Sequence, residues 1–310
     1  MPEPKTLHIN QPLSNFSVQY RNAAMIWPMV MPIVKVKKLS DAFFKYDKDE
    51  RFRIPDDKLG ATAMPNEVDF STSQDNYSCK GHGLGGWVSK ESEENADSPL
   101  SPKLDETELQ NELLDVAQEK RVSDIAFSPA TYPAANKIQL SGTGQWGQSA
   151  DAPINNILLG LDTAFLRPNT IVFGEAVWRI FRVLPEVLDA IGSSVGSAPR
   201  GGLASLKAVA DLFEVENVLV GRAKYNTAKE GQAASYSKLW GNHVSLMHVK
   251  KSPSLKSVHF GNTFVESIKQ TRTSFDEKRG VKGATFVKTT WNSDEKVVAS
   301  DVAYFIEDAV

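Results

Sequence analysis

The sequence predicts an α+β fold, on three observations. The first forty residues are extended and broken by prolines, one clear amphipathic helix begins near Asp105, and the later half mixes short helices with strands before returning to sheet. Pro2, Pro4, Pro12, Pro28 and Pro32 each fix φ and disfavour helix in the residue before them, so the start reads as an arm. Phe16, Val18, Tyr20, Met25, Ile26, Trp27, Met29, Val30, Ile33, Val34 and Val36 make that arm apolar. With little means of burying itself, it is expected to dock on other surfaces.

From Ser40 to about Lys90, aromatic and charged residues alternate (Phe44, Tyr46; Lys45, Asp47), turn irregular through Arg51 to Ser73, and resume from Tyr77 to Val88. Two strand-like limbs around a long middle predict a long hairpin without a core of its own, laid on a neighbouring molecule. At Asp105 the spacing predicts a helix of about four or five turns. Asp105 is placed to cap it, Glu108 to complete a capping box, and Leu104 and Leu109 to form the staple. Leu109, Leu113, Val116 and Ala117 form the stripe expected to be buried.

A Gly-, Ser- and Ala-rich span from Ser128 to Ala152 follows. Beyond it the pattern predicts helices over 154–162, 175–181 and 203–213 and strands over 170–173 and 217–220. Gly241-Asn242 is read as a tight two-residue hairpin turn. Strands are expected over 284–290, 296–299 and 302–306. There is no internal repeat and no heptad series.

The chain has 310 residues, 41% hydrophobic and 24% charged, which suits one large or two ordinary domains and excludes collagen-like or disordered composition. A net charge of -3 lacks the basic excess of a sequence-reading nucleic-acid binder. One cysteine, Cys79, excludes an internal disulfide framework and thiolate clusters. The run Met25 to Val36, interrupted by Pro28 and Pro32, is too short to span a bilayer, and no signal peptide is read at the start.

Chemical candidates are few. Gly81, Gly83, Gly85 and Gly86 do not match a dinucleotide fingerprint, and no Gly-Lys-Ser/Thr phosphate loop occurs, so the cluster reads as flexible strand backbone. Cys79 and His82 lack an orienting third group for nucleophilic chemistry. His243 and His248, five apart, fall on opposite faces of a strand, while His8 and His259 have no nearby ligand partners, so no metal and no cofactor is expected. Glu93-Glu94 and Asp105-Glu106-Glu108 suit a helix start, where the macrodipole favours negative charge. The short basic runs Lys35-Val36-Lys37-Lys38 and Lys250-Lys251 read as solvated faces or intersubunit charge pairs.

The residues resemble those of the major capsid proteins of tailed bacteriophages. Matching stretches run from Val18-Gln19-Tyr20-Arg21-Asn22 through Met31-Pro32-Ile33-Val34-Lys35-Val36 and Phe44-Lys45-Tyr46-Asp47 to Asn95-Ala96-Asp97-Ser98-Pro99-Leu100. Later blocks are Arg167 to Gly174 with Val177-Trp178, Leu212 to Val215 with Val218 to Ala228, and Leu239-Trp240-Gly241-Asn242-His243. The resemblance implies the Hong Kong 97-type capsid fold: an N-terminal arm at about 1–40, an E-loop at 41–90, a P-domain with its spine helix at 91–150 plus 284–310, and an A-domain at 151–283.

It further implies a non-enzymatic subunit that self-assembles through pentamers and hexamers into the icosahedral head enclosing double-stranded DNA. An encapsulin-type compartment shell is the alternative. Portal, a separate scaffolding protein and cement proteins are the implied partners, with DNA contacted without sequence specificity and no membrane involved. Assembly is expected in the host cytoplasm and the final location is the virion. Because the arm starts almost at Met1, scaffolding is expected as a separate protein. Met25, Ile26, Trp27, Val30, Phe44 and Tyr46 are the residues expected at intersubunit contacts.

Overall fold

The computed structural model describes residues 8–9, 25–46, 54–55, 57–59, 64–65, 67, 72–96, 100–148, 152–195, 202–229, 231–253 and 257–310. Two sheets share the work. The first is ordered β1-β12-β13-β5, with β2 beside β12; its strands are β1 (His8–Ile9), β2 (Ile33–Lys35), β5 (Lys80–Ser89), β12 (Gly261–Asp276) and β13 (Ala284–Val297). The second is ordered β6-β14-β11-β7-β8: β6 (Lys137–Gln139), β14 (Ala303–Glu307), β11 (Val244–Met247), β7 (Thr170–Gly174) and β8 (Asn217–Gly221). Two small ladders complete the set. β3 (Ser40–Tyr46) pairs antiparallel with β4 (Thr72–Ser78), and β9 (Lys224–Asn226) with β10 (Tyr236–Lys238).

The β3–β4 ladder is the hairpin expected from the limbs around 40–90, with Ser40 opposite Ser78 and Tyr46 opposite Thr72. Its second limb is shorter than the sequence suggests. After Cys79 the chain leaves β3 and continues as β5 against β13, where Gly85 faces Lys288 and Gly83 faces Thr290.

Seven helices pack around these sheets: α1 (Trp27–Val30), α2 (Lys90–Glu94), α3 (Pro102–Ala126), α4 (Pro153–Thr163), α5 (Glu175–Phe181), α6 (Pro185–Val195) and α7 (Leu206–Phe213), counted among the described residues. β7 is buried along its whole length and pairs parallel with β8, so an uninterrupted apolar run is what it requires. α7 begins at Ser205, whose hydroxyl accepts the Ala208 N–H, and ends at Glu214 in the left-handed region with φ 54°.

Helix α3 corrects two expectations. It starts at Pro102, three residues before Asp105, and runs 25 residues, about seven turns; Ser101 holds the cap position without a side-chain bond. Its buried face is also the opposite one. Thr107, Gln110, Asn111, Leu114, Asp115, Gln118, Glu119, Val122, Ser123 and Ala126 are buried, whereas Leu104, Leu109 and Leu113 are exposed. The reason lies in the sheet beneath, whose covered face carries Thr271, Thr285 and Thr289 together with Lys269 and Glu295. Gln110 Nε2 donates to the Val287 carbonyl, Gln118 Nε2 and Arg121 Nε donate to Glu295 at 2.7 and 3.1 Å, and Lys269 pairs with Asp115 at 2.7 Å. A polar helix face is stable there because its groups are matched.

The longest pairing in the first sheet is between β12 and β13. These strands run antiparallel from Gly261↔Val297 to Asp276↔Ala284. β14 lies between β6 and β11 in the second sheet. Gly241-Asn242 does not close a two-residue hairpin: β10 before it pairs with β9, and β11 after it pairs with β7 and β14. The dipeptide is the crossing point between two sheets.

Candidate assembly surfaces

The arm residues expected to face a neighbour are inside their own chain. Met25, Ile26, Trp27 and Val30 are buried and belong to the central apolar cluster with Val122, Trp240, Phe260, Trp291 and Phe305. The Trp27 and Trp291 rings lie 6.1 Å apart. The expectation that this part of the arm lacks intramolecular partners is therefore corrected. Pro28 does not keep it extended, because at the first turn of α1 proline loses no hydrogen bond. Beyond α1, β2 pairs parallel with β12 through Ile33↔Thr263, Val34↔Phe264 and Lys35↔Val265. β1 pairs with the far part of the same strand, at Thr273 and Arg272.

What fixes the segment is Glu119 on α3. Its carboxylate accepts the backbone N–H groups of Ile26 and Trp27, the latter at 2.8 Å, and the indole N–H of Trp240 at 2.6 Å. Burial raises the carboxyl above its ordinary value, and the N–H donors act against that rise. Sequence reasoning missed this residue. A glutamate in mid-helix carries no local mark of an inward role.

Of the other two residues expected at contacts, Phe44 and Tyr46 lie on β3, with side chains outside the described residues. Most of the E-loop middle also lies outside them. Phe43 next to them is buried against Phe264 and Tyr77.

Gly81, Gly83 and Gly85 alternate along β5 and share one face with Phe286, Lys288, Thr290 and Asn292 of β13. They line an open groove of about 590 Å³ with Leu84 and His82 at its edge. This glycine cluster is strand backbone, as expected. Cys79 is buried, with its thiol 3.6 Å from the Phe264 carbonyl, and burial pushes the thiol up, away from the reactive thiolate.

His248 Nδ1 lies 3.1 Å from the Arg167 carbonyl oxygen, and His243 Nδ1 accepts the Asp308 N–H at 3.0 Å. His259 is fully buried between Ser257 and Asn262. Among the described residues no group of three His, Cys, Asp or Glu could hold a metal ion. Nor is any helix there long and apolar enough to cross a membrane. Of the acidic groups, Glu93 pairs with Lys103 and Glu94 with Lys282, while Asp105 sits in the first turn of α3. Lys35, Lys37 and Lys38 are exposed.

Open surfaces among the described residues include the glycine groove, the outward side of α3 and the hairpin tip between β12 and β13, where Phe275 and Val281 are exposed. Exposed apolar side chains of this kind suit association with another surface.

No protein-family model matches the chain. Comparison with known proteins finds the "Major capsid protein" of Pseudomonas phage JBD67, 32% identical over 97% of both chains. The "Major capsid protein" of Burkholderia phage BcepMu is 26% identical over 76% of this chain and 75% of its own. Among solved structures, a phage-related protein from Bordetella bronchiseptica RB50 superposes with a TM-score of 0.73 at 20% identity, covering 98% of each chain. An encapsulin complex from Synechococcus elongatus PCC 7942 shares the fold more distantly, with a TM-score of 0.53 at 8% identity over 99% of this chain and 92% of its own. The chain belongs to the major capsid protein family of tailed bacteriophages, with the Hong Kong 97-type fold.

Proposed function

We propose that copies of this chain, arranged as pentamers and hexamers, build an icosahedral head around double-stranded DNA, as a structural subunit without catalysis. The full-length likeness to a phage major capsid protein carries the reading. Symmetry multiplies each contact, so modest surfaces suffice. A net charge of -3 fits a wall along which DNA slides during packaging and ejection, since strong basic charge would hold it there.

Residues 1–40 serve as the arm and 41–90 as the E-loop, with Phe44 and Tyr46 offered to a neighbouring subunit. Residues 91–150 and 284–310, which carry α3 and β13, serve as the P-domain, and residues 151–283, which carry α4 to α7 with β7, β8 and β11, as the A-domain. Assembly takes place in the host cytoplasm with a portal, a separate scaffolding protein and cement proteins.

The test is electron microscopy and light scattering of the purified chain with scaffolding protein supplied. Closed shells support the reading; a compact monomer under every assembly condition overturns it. The contents decide between the two shell classes, because a phage head protects DNA from nuclease and an encapsulin-type compartment holds a cargo enzyme.

A further inference from the structure

Helix α3 turns its leucines outward. Leu109 is 50% exposed and Leu113 49%, and with exposed Ala117 they form one ridge at i, i+4, i+8. A second row runs beside it: Asp105, Glu108 and Glu112 at i, i+3, i+7. None of these three carboxylates has a cationic partner among the described residues. The cations along the helix are engaged elsewhere, Lys103 with Glu93, Lys120 with Asp124 and Arg121 with Glu295. Only Asp105 stands in the first turn, where the macrodipole favours an acid; Glu108 and Glu112 lie beyond its reach.

An exposed apolar ridge bordered by unpaired carboxylates calls for a cationic, apolar cover. The chain's own extended segments do not supply it. Residues 47–71 contain seven carboxylates against four cations and would be repelled, while residues 1–24 hold only Lys5 and Arg21 against Glu3. A second α3 set against the first would bring the two acidic rows together, which is unfavourable.

We propose that the outward face of α3 docks a basic amphipathic helix of a separate protein. Its apolar side packs on Leu109, Leu113 and Ala117, because an i, i+4 ridge fits the groove of another helix. Its Lys and Arg side chains pair with Asp105, Glu108 and Glu112. The contact is made on the single subunit, so it stands apart from the shell-forming role.

The test uses the unassembled full-length chain and fluorescence anisotropy with three labelled helical peptides: a Leu ridge flanked by Lys, the same ridge flanked by Glu, and the Lys-flanked helix with Ser in place of Leu. Only the first is expected to bind, with an affinity falling on the order of tenfold from low to high salt. Leu109→Ser with Leu113→Ser is expected to abolish binding, and Asp105→Lys, Glu108→Lys and Glu112→Lys together to transfer preference to the Glu-flanked peptide. Melting curves for both variants verify that the fold is kept. The proposal is overturned if no peptide binds, if both charge types bind alike, or if the Leu variant still binds. It is also overturned if that variant loses self-association the unaltered subunit shows, placing a second copy on the ridge, or if removing residues 1–24 is required before the peptide binds, placing the arm there.

Discussion

Glu119 Oε1 accepts the Trp240 indole N–H at 2.6 Å, joining residues 121 positions apart. Because the same carboxylate takes the Ile26 and Trp27 N–H groups, one side chain ties the start of α1, helix α3 and the segment between β10 and β11 together. Both oxygens are used. Glu119→Gln keeps the shape but turns an amide NH₂ toward a donor, and is expected to cost about 1–3 kcal/mol. Glu119→Ala, which leaves all three donors unmatched, is expected to cost more. Urea unfolding of both variants checks this order; equal stability of Gln and Glu would remove the clasp from the account.

The inverted face of α3 predicts a contrast between adjacent leucines. Leu114 is buried against the sheet, so Leu114→Ala should cost about 2–5 kcal/mol. Leu113→Ala, on the open side, should stay within about 0.5 kcal/mol. Denaturation midpoints of the two variants decide which face is inside.

That inversion also explains what was legible in the sequence. β7, β8, α4 and α5 follow their apolar patterns to within a residue or so, because they pack against apolar neighbours in one core. β12 escaped notice: only its first part, through Phe264 and Val265, enters apolar clusters, and the rest of Gly261–Asp276 is rich in Thr and Ser and meets α3 through the Lys269–Asp115 pair. The same polar layer sent Leu109 and Leu113 outward against expectation. Glu119 and the burial of Trp27 depend on partners distant in sequence, which no local spacing records. The resemblance to capsid proteins, carried by short blocks such as Arg167 to Gly174, identified the fold where periodicity did not.

Two glycines beside close neighbours should differ sharply. A Cβ on Gly174 would overlap the Gly241 carbonyl oxygen, which is backbone at the crossing between sheets and cannot swing away. The nearest atoms to a Cβ on Gly86 are the carboxylate end of Glu106, a flexible side chain that can move at the cost of its bond from the Gln110 amide. Gly174→Ala is therefore expected to destabilise by about 1–3 kcal/mol or more and Gly86→Ala by clearly less. Thermal melting of the pair gives the comparison.

His243 is expected to contribute to acid sensitivity of the subunit. Nδ1 accepts the Asp308 N–H at 3.0 Å, so the ring must be neutral on that side, and burial lowers its pKa despite the nearby Asp308 and Glu307 carboxylates. A histidine whose folded pKa lies below its ordinary 6.5 contributes stability that is complete above 6.5 and is lost as pH falls toward the folded value. His243→Gln can still accept the N–H and does not titrate. Its melting temperature should therefore fall less than that of the unaltered chain when pH is lowered from neutral to about 5, a window set by the ordinary His pKa. An identical fall in both proteins would assign the acid sensitivity to other groups.

The last prediction separates the two parts of the arm. Trp27 is 6% exposed, its ring stands against Trp291, and its N–H is held by Glu119, so Trp27→Ala removes a large side chain from the central cluster. The expected cost is about 3–5 kcal/mol, borne by the single subunit before any assembly. Deleting residues 1–36 goes further. It removes α1, the β2 ladder on β12 and the two N–H donors that match the buried Glu119 carboxyl, leaving that group with Trp240 as its donor among the described residues. The truncated chain is expected to melt far below the intact one or not to fold, whereas Ile33→Ala, at an exposed position of β2, should be nearly silent. Circular dichroism melts of the three proteins, recorded under conditions where none assembles, make the comparison. If the truncation melts with the intact chain, residues 25–36 are dispensable to the subunit and their burial contributes nothing to its stability.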